Sequence, residues 1–395
     1  MSAGDDPRHY AQLLSAVYDA AMAGEKMPAR PRSLISESWD RALTAGVDPE
    51  VGASDDGLDL TELEARRQDS SLSAVLDDLT RGLESVIADG DNILVVADAG
   101  GRVLWRSGAP RVLHRADRLG FVEGADWAEN TVGTNAIGTA LMSGRAVQVF
   151  SAEHFVRSHH AWTCAGAPIR DPRTGSVLGV VDVSGPAATI HPTTVALVDV
   201  VAKLAESQLR DHHRRTLDQL RSVAAPMLAR LGGPALAVDS EGWVAALDAV
   251  APRTRLTLPK QISPGRVFLS NLGVCDLEPL PGGWLVRVAE DGSAAGETTM
   301  VELDLRDPPA LVVAGATGRW TLQPSPRHVE ILAVLAHHRE GLTAAQMSQH
   351  LFGVADRTIT VRAEISRLRK HLGGLLAANP YRFAAGVDVR VVVPA

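Results

Sequence analysis

A chain of 395 residues with 45% hydrophobic and 22% charged residues has the composition of a globular protein of two or three domains. It contains no apolar run of the ~20 residues that span a membrane, no signal-peptide core, and only two distant cysteines, Cys164 and Cys275, so we expect a cytoplasmic protein without a membrane partner. Residues 321–395 hold 9 Lys and Arg against 5 Asp and Glu, a net charge of +4, whereas residues 1–320 carry −12. This asymmetry predicts a polyanionic partner for the C-terminal part alone.

The first half of the chain changes from helical to strand-like periodicity. Residues 1–75 are predicted to be mainly helical, and a short helix is predicted around residues 134–142. Between and after them, alternating apolar segments predict the strands 93–97, 102–105, 147–150 and 176–184. Asp98-Ala-Gly-Gly forms a hairpin turn between the first two strands. The fold class expected for the whole chain is multidomain α+β, with antiparallel sheets and helices.

Residues 127–141 contain two glycines, although not in the arrangement of a phosphate-binding loop. The G-x-x-x-x-G-K-[ST] motif is absent from the sequence, which excludes a P-loop ATPase. Asn130, Thr131, Thr134 and Asn135 are instead suited to cap the helix that follows. Gly138 would let that helix pack closely on a sheet.

Several separated motifs of this part resemble the GAF domain of acetoin-operon activator-type regulators. The resembling segments, in chain order, are 133–141, 153–155, 160–172 and 175–185, and residues 33–49 resemble the N-terminal region of the same regulators. The resemblance implies a GAF fold, which is an antiparallel sheet with helices that encloses a small-molecule pocket. The sigma-54 ATPase domain into which that family usually continues has no counterpart in this sequence.

A pocket of this kind would be lined by residues of these motifs. By position, the candidate ligand-binding residues are Trp127, Asn130, Thr134, Asn135, Trp162, Cys164 and Asp182. The alternative is structural: both tryptophans pack in the core and the Asn and Thr side chains cap helices.

His154, His159, His160 and Cys164 lie close together in sequence and raise two further alternatives. One is a haem or redox sensor in which these side chains bind the haem or a metal ion, or Cys164 is oxidised. The spacing of the four residues matches no zinc-binding signature. The other is a cysteine-based reductase of small sulfoxides, for which Cys164 and Cys275 form a poor pair. We expect no metal site, no cofactor and no catalytic residue, and hence not an enzyme.

A long helix is predicted from about residue 192 to residue 220. Leu197, Val201 and Leu204 on its first half could pair across a homodimer. The following segment, 226–297, alternates short strands with Gly and Pro turns and suits a PAS-like or other small sheet.

Helical periodicity returns from Ser325. A second helix follows Thr343, a predicted N-cap, and ends before Gly353. In the third helix, residues 358–372, an apolar stripe is opposed by a face rich in basic side chains. With a β-hairpin predicted around Gly386, this order of elements is typical of a winged helix-turn-helix.

The same order resembles the effector domain of OmpR/PhoB-type response regulators over residues 298–393. Residues 361–370 stand where that family has its recognition helix, and the strand-rich run 300–322 resembles the small sheet before it. The candidate DNA-binding residues are Thr358, Arg362, Ser366, Arg369, Lys370, Arg382 and Arg390. Arginine can bind guanine in two hydrogen bonds, and Arg369 and Lys370 suit phosphate. The alternative is a solvated helix surface.

Together these patterns favour a one-component transcriptional regulator. The expected division is an N-terminal helical region 1–75, a sensor 76–215, a middle segment 226–297 and a DNA-binding domain 298–395. The expected partners are double-stranded DNA, a small-molecule effector and a second copy of the chain, with RNA polymerase as a further candidate.

Overall fold

The computed structural model describes residues 7–52, 57–88, 90–189, 191, 193–259, 262–269, 272–289, 299–315 and 318–393. The chain forms two compact units, Met1–Asp211 and His212–Ala395. The expected mixture of helices and antiparallel sheets is confirmed. Within the described residues, no helix combines the length and the apolar character needed to cross a membrane.

The first unit ends at Asp211, within a long helix whose remaining residues belong to the second unit. Its helices are α1 (Pro7–Met22), α2 (Ser33–Ala45), α3 (Leu60–Asp69), α4 (Leu76–Ile87), α5 (Pro110–Asp117), α6 (Glu129–Val132), α7 (Ala136–Ser143) and the start of α8 (Thr194–Leu231). Its strands are β1 (Ile93–Asp98), β2 (Val103–Gly108), β3 (Val147–Phe150), β4 (Trp162–Arg170) and β5 (Val177–Pro186).

These five strands form one antiparallel sheet in the order β2-β1-β5-β4-β3. Because side chains alternate along a strand, the sheet has two buried faces. One face packs on a core to which α1, α2, α6 and α7 contribute. The other packs on α4 and the first half of α8. The sheet therefore lies between two helical layers.

The two N-terminal helices belong to the core of this unit. Tyr18 of α1 and Trp39 of α2 are buried against the sheet-side core. The Tyr18 hydroxyl donates to the carbonyl of Phe155 over 2.7 Å, and the Trp39 indole N–H donates to that of Glu153 over 3.0 Å. Helices α1 and α2 thus hold the segment between β3 and β4 in place.

The predicted hairpin turn is confirmed. The Asp98 carboxylate accepts the backbone N–H groups of Gly100 and Arg102, and Gly101 has a φ of 89° that favours glycine. β1 and β2 pair on either side.

Gly138 does not face the sheet as predicted. A Cβ at Gly138 would lie 2.6 Å from the backbone nitrogen of Glu129, so this glycine lets α6 approach α7. Gly166 of β4 serves the sheet instead, since its Cβ would lie 2.5 Å from the carbonyl oxygen of Ala136. The close helix–sheet contact is therefore permitted from the strand side.

The second unit begins with the end of α8, and its described residues form three sheets and three further helices. Its strands are β6 (Ala235–Asp239), β7 (Val244–Asp248), β8 (Gly265–Leu269), β9 (Gly273–Leu280), β10 (Gly283–Val288), β11 (Thr299–Asp304), β12 (Ala310–Gly315), β13 (Gly318–Leu322), β14 (Leu376–Ala378), β15 (Tyr381–Phe383) and β16 (Val387–Val392). Its helices are α9 (Pro326–His337), α10 (Ala344–Phe352) and α11 (Thr358–Leu372).

The sheets of this unit have the orders β7-β6-β10-β9-β8, β13-β12-β11-β16 and β14-β15. One apolar core joins the end of α8, both larger sheets and helices α9 to α11. The C-terminal end of α11 also meets the first of these sheets, because the N–H of Gly282 donates to the carbonyl of His371 over 3.1 Å.

The hairpin predicted around Gly386 is wrong. β15 pairs antiparallel with β14, whereas β16 runs parallel to β11 and completes the four-stranded sheet. The physical reason is that Val387 and Val389 of β16 pack against the core of the second unit. Pairing with the three-residue β15 would not bury these two side chains.

The predicted end of α8 near residue 220 is also wrong. The helix continues to Leu231, because Leu220, Ala224 and Leu228 form an apolar face buried in the core of the second unit. Gly232 follows it with a φ of 64°.

Candidate functional site

A row of buried polar side chains lies on the inner face of the first unit's sheet. Cys164 of β4 stands opposite Ser184 of β5, and Asp182 lies on the same face two residues earlier. The Nε2 atom of His154 lies 3.3 Å from the Cys164 sulfur. The row therefore joins two strands to the segment that follows β3.

The hydrogen bonds of His154 determine its tautomer. Its Nδ1 atom lies 2.9 Å from the carbonyl oxygen of Ser151, which can only accept, so Nδ1 carries the proton. Burial, and next the neighbouring His159, lower the pKa of His154 to about 3. The neutral ring therefore leaves Nε2 to accept the Cys164 thiol proton.

His159 continues the row on the side away from Cys164. Its ring stacks on Trp127 with centroids 4.9 Å apart and meets the edge of His154 at 6.1 Å. Only 1% of His159 is exposed, and neither ring nitrogen has a hydrogen-bond partner among the described residues. Burial lowers the pKa of His159 to about 4. A neutral imidazole with a free donor and a free acceptor thus lies inside the unit.

Asp182 occupies the opposite end. The Ser184 hydroxyl donates to its Oδ2 atom over 2.5 Å, whereas its buried Oδ1 atom has no hydrogen-bond partner among the described residues. Burial raises the pKa of Asp182 to about 7. Burial, and next the nearby Asp182, raise the pKa of the Cys164 thiol well above its usual range. Cys164 is therefore a thiol at neutral pH rather than a nucleophilic thiolate.

The row, named here the inner polar row, consists of Trp127, His154, His159, Cys164, Asp182 and Ser184. Three of the seven predicted ligand-binding residues belong to it. Ser184 was missed, although its position two residues after Asp182 on a predicted strand places both on one face. His154 and His159 were singled out only as members of a metal or haem cluster.

The remaining four predicted ligand residues have other surroundings. Asn135 caps α7, because its side chain accepts the N–H of Gly138 over 2.9 Å, and Thr134 bonds the Ser38 hydroxyl at 2.6 Å. Trp162 is buried with the guanidinium of Arg115 5.7 Å from its ring, and Asn130 is exposed. These four lie outside the inner polar row.

Two ion pairs tie helix α2 and the residue before it to the segments around the row. Glu129 accepts two hydrogen bonds from Arg41, at 2.6 and 3.1 Å, and one from Thr139 at 2.9 Å. Glu153 accepts two from Arg32, both at 2.7 Å. The two carboxylates are buried and each is matched by a guanidinium.

The histidine and cysteine cluster does not converge on one point. The Nε2 atom of His160 lies 3.1 Å from the carbonyl oxygen of His154, and its ring meets Tyr18 at 4.7 Å. Across the described residues, no three His, Cys, Asp or Glu side chains are arranged to hold a metal ion. Cys164 and Cys275 belong to different units, and each is buried and free.

In the second unit, α11 has the predicted two-sided character. Its stripe of Val361, Ile365, Leu368 and Leu372 is buried. Arg362 and Arg369 are exposed, and both lie near the Tyr381 hydroxyl, which is hydrogen-bonded by Arg362. Burial raises the pKa of Tyr381, and the two guanidinium groups act against this effect.

The other predicted DNA-binding residues are more scattered. Thr358 begins α11, and Ser366 is half-buried on it. Arg382 follows Tyr381 on β15 and so points to the opposite face of that strand, whereas Arg390 is exposed on β16. The side chain of Lys370 lies outside the described residues. Arg367, which is also exposed on α11, forms an ion pair with Glu364 at 2.6 Å.

Comparison with known proteins places this architecture in a family. Residues 16–211, which end where the first unit ends, match the MimR N-terminal domain. A 47.3 kDa protein of the thcA 5′ region of Rhodococcus erythropolis is 32% identical over 391 residues, covering 96% of this chain and 71% of that protein.

The acetoin dehydrogenase operon transcriptional activator AcoR of Bacillus subtilis is 38% identical over 182 residues, or 46% of this chain. The match covers only 30% of AcoR, so the chain spans under a third of that relative. Among solved structures, the DhaR(N)–DhaL complex of E. coli aligns with a TM-score of 0.45 and 19% identity, covering 66% of this chain and 100% of that chain. AcoR is a transcriptional regulator rather than an enzyme, in agreement with the expectation for this chain. The chain belongs to the family of the Rhodococcus 47.3 kDa protein, with a MimR-type N-terminal domain.

Proposed function

We propose that the protein is a one-component transcriptional regulator. Its residues 76–215 form a GAF sensor for a small molecule, and its residues 298–395 form a winged helix that binds double-stranded DNA. The match to operon activators over the first unit supports the sensor part. The basic exposed face of α11 supports the DNA-binding part.

The observation that carries the DNA-binding half is the position of Arg362 and Arg369. Both are exposed on the third helix of the α9–α11 array, whose apolar stripe is buried, and both lie beside Tyr381. They belong to residues 321–395, the stretch with a net charge of +4. A helix held by its apolar stripe and presenting guanidinium groups outwards is suited to the major groove.

Fluorescence anisotropy with duplexes that tile the DNA upstream of its own gene tests this proposal. Arg362→Ala and Arg369→Ala should each weaken binding by ~1–3 kcal/mol where the guanidinium contacts a base, and less where it contacts phosphate. Arg367→Ala is the matched control, because Arg367 is exposed on the same helix but paired with Glu364. Equal affinities of all three variants and the unchanged protein would contradict the assignment of this face.

The sensor half is coupled to DNA binding only if the effector binds one arrangement of the protein better than another. The inner polar row is the place we propose for the effector, because Asp182 and His159 in it carry buried polar atoms without a hydrogen-bond partner among the described residues. Metabolites that change the anisotropy titration should therefore also bind the full chain directly in calorimetry.

A further inference from the structure

A cleft lies at one end of the sheet β7-β6-β10-β9-β8 in the second unit. The strand register brings the starts of β6 and β9 and the ends of β7, β8 and β10 to this end of the sheet. The cleft has a volume of about 500 Å³, which falls within the ~300–1,000 Å³ of small-molecule sites. Apart from Arg253, the described residues that line it are apolar.

The apolar lining of the cleft is incompletely covered by the protein itself. Val250, Leu272 and Val288 are half-buried and pack against the core that contains the buried Cys275. Phe268 of β8 also lines the cleft, and 69% of it is exposed. An apolar molecule in the cleft would remove part of this surface from water, which favours binding.

Arg253 is the charged group of the described lining. It is half-buried, its Nε atom donates to the carbonyl of Ala251 over 3.3 Å, and no carboxylate among the described residues pairs with it. The neighbouring carboxylate of Asp276 is already matched, by Arg266 at 3.1 Å and by Arg287 at 3.6 Å. The cleft therefore presents one positive charge that lacks a counter-charge.

The charge of Arg253 lies close to the core beneath the cleft. Burial, and next the carboxylate of Asp276, raise the pKa of the Cys275 thiol to about 11, and the charge of Arg253 acts in the opposite direction. The Cys275 thiol is directed at the carbonyl of Gly273, which lines the cleft. The guanidinium thus lies beside the apolar floor.

We propose that this cleft binds a small carboxylic acid with an apolar body. The carboxylate pairs with Arg253, and the apolar body covers the floor and packs on the ring of Phe268. Hydrogen bonds from a guanidinium to a carboxylate are about twice as strong as those between neutral groups and can form in pairs. One guanidinium matches the single charge of a carboxylate, whereas a phosphate monoester carries nearly two charges.

The proposed site is separate from the two halves of the proposed regulator. It lies in the segment 226–297, to which neither the sensor function nor DNA binding assigns a ligand. Failure of this inference therefore leaves the DNA-binding measurements intact, and failure of DNA binding leaves the cleft to be judged by itself.

The first test measures binding of matched probes to the full chain by calorimetry and ligand-observed NMR. One set is 3-phenylpropanoate, 3-phenylpropan-1-ol and 3-phenylpropan-1-amine, and a second set is octanoate, octan-1-ol and octan-1-amine. Within each set the body is the same and only the head group changes. The carboxylate should bind at least about tenfold more tightly than the alcohol, and the amine most weakly. Equal affinities within both sets, or no binding of either carboxylate, overturn the proposal.

The second test removes the charge at one position. Arg253→Met should weaken carboxylate binding by at least about tenfold and leave the affinity for the alcohol unchanged. Arg255→Met is the matched control, because the Arg255 guanidinium lies 5.0 Å from the ring of Trp243 and Arg255 does not line the cleft. An unchanged affinity in Arg253→Met, or an equal loss in Arg255→Met, overturns the assignment.

The third test fills the cleft and shows where the carboxylate binds on the full chain. Ala251 is exposed in the lining, so Ala251→Trp adds a large side chain there without disturbing the core. Carboxylate binding should fall by at least about tenfold, and urea unfolding should show an unchanged stability. Binding that survives this substitution lies elsewhere and overturns the proposal. Phe268→Ala, which truncates an exposed side chain, should weaken both carboxylates and alcohols, and an unchanged affinity for both contradicts the contact with the ring.

Discussion

Single residues of the first unit act mainly by allowing or preventing close approach. Gly133, in a motif that resembles the acetoin-operon activators, has a φ of 66°, and a Cβ there would collide with the ring of Phe155. This glycine is required by packing and backbone conformation together. The recurrence of such a motif therefore does not by itself indicate contact with a ligand.

Gly133→Ala should destabilise the protein by more than ~2 kcal/mol, because a φ of 66° with a ψ of −157° is a conformation open essentially to glycine, which costs other residues ~1–3 kcal/mol, and the collision with Phe155 adds to it. Gly175→Ala is the matched control, since its φ is 75° and no atom lies within 4 Å of the added Cβ. The control should lose only ~1–2 kcal/mol. Urea unfolding monitored by circular dichroism measures both, and equal losses would show that the contact with Phe155 yields easily.

Asp182 should make stability depend on pH in a defined direction. Its pKa is raised by burial from 3.8 to about 7 in the folded protein, so between these values the folded state binds the proton that the unfolded state has lost. Its contribution to stability is therefore fully present below pH 3.8 and is lost as pH rises to about 7.

Asp182→Asn should remove that dependence, and its stability relative to the unchanged protein should rise with pH by up to ~4 kcal/mol across this range. His154 and His159, whose pKa values are lowered by burial, contribute the opposite slope, so the difference between the two proteins isolates Asp182. A difference that is flat with pH, measured by urea unfolding at several pH values, would contradict a raised pKa.

At the scale of elements, the three helices α9 to α11 depend on local end signals that the sequence shows directly. The Thr343 hydroxyl accepts the backbone N–H of Gln346, whose side chain accepts the N–H of Thr343 in return. Gly353 ends α10 with a φ of 73°. Such signals position α10 ahead of α11 without requiring distant contacts.

Thr343→Ala should destabilise the second unit by ~1 kcal/mol, because the N–H of Gln346 loses its side-chain acceptor and the Gln346 side chain loses the hydrogen bond from the Thr343 hydroxyl. Thr343→Ser keeps the hydroxyl and should retain most of the stability. Urea unfolding of the two variants compares them, and an equal loss in both would mean that the methyl group of Thr343 matters rather than the cap.

At the scale of the whole molecule, the proposed dimer requires a different face of α8 from the one predicted. Val201 is buried against Gly82 of α4 and cannot belong to a seam, and Leu197 is half-buried. Val200 and Leu204 are exposed by 61% and 48%, one helical turn apart. We therefore place the proposed contact between two copies on Val200 and Leu204.

The double variant Val200→Glu, Leu204→Glu should be monomeric at concentrations where the unchanged chain is dimeric, because two carboxylates would be buried against a second copy. Met142→Glu is the matched control, since Met142 is exposed by 61% in another helix. Sedimentation equilibrium measures the mass. An unchanged mass in the double variant would place the interface elsewhere, and a monomeric parent would remove the dimer altogether.

Local patterns in the sequence determined the elements whose stability is local. The strands β1, β2, β3 and β5, the Asp98 turn, the Thr343 cap and the buried stripe of α11 follow from alternation, helical period and turn chemistry, which act between residues near in sequence. The strand β4 was not predicted. The predicted Cys164 and Asp182 lie on the same face of one sheet, because they belong to the neighbouring strands β4 and β5.

Contacts between distant residues decided the rest, because their free energy depends on which surfaces the fold brings together. β16 pairs with β11 rather than with its neighbour β15, and α8 continues past residue 220 along an apolar core. The unpaired atoms of His159 and Asp182 likewise result from burial, which no spacing of residues along the chain discloses. Sequence therefore determined the elements and the basic face of α11, and tertiary packing alone assembled the inner polar row.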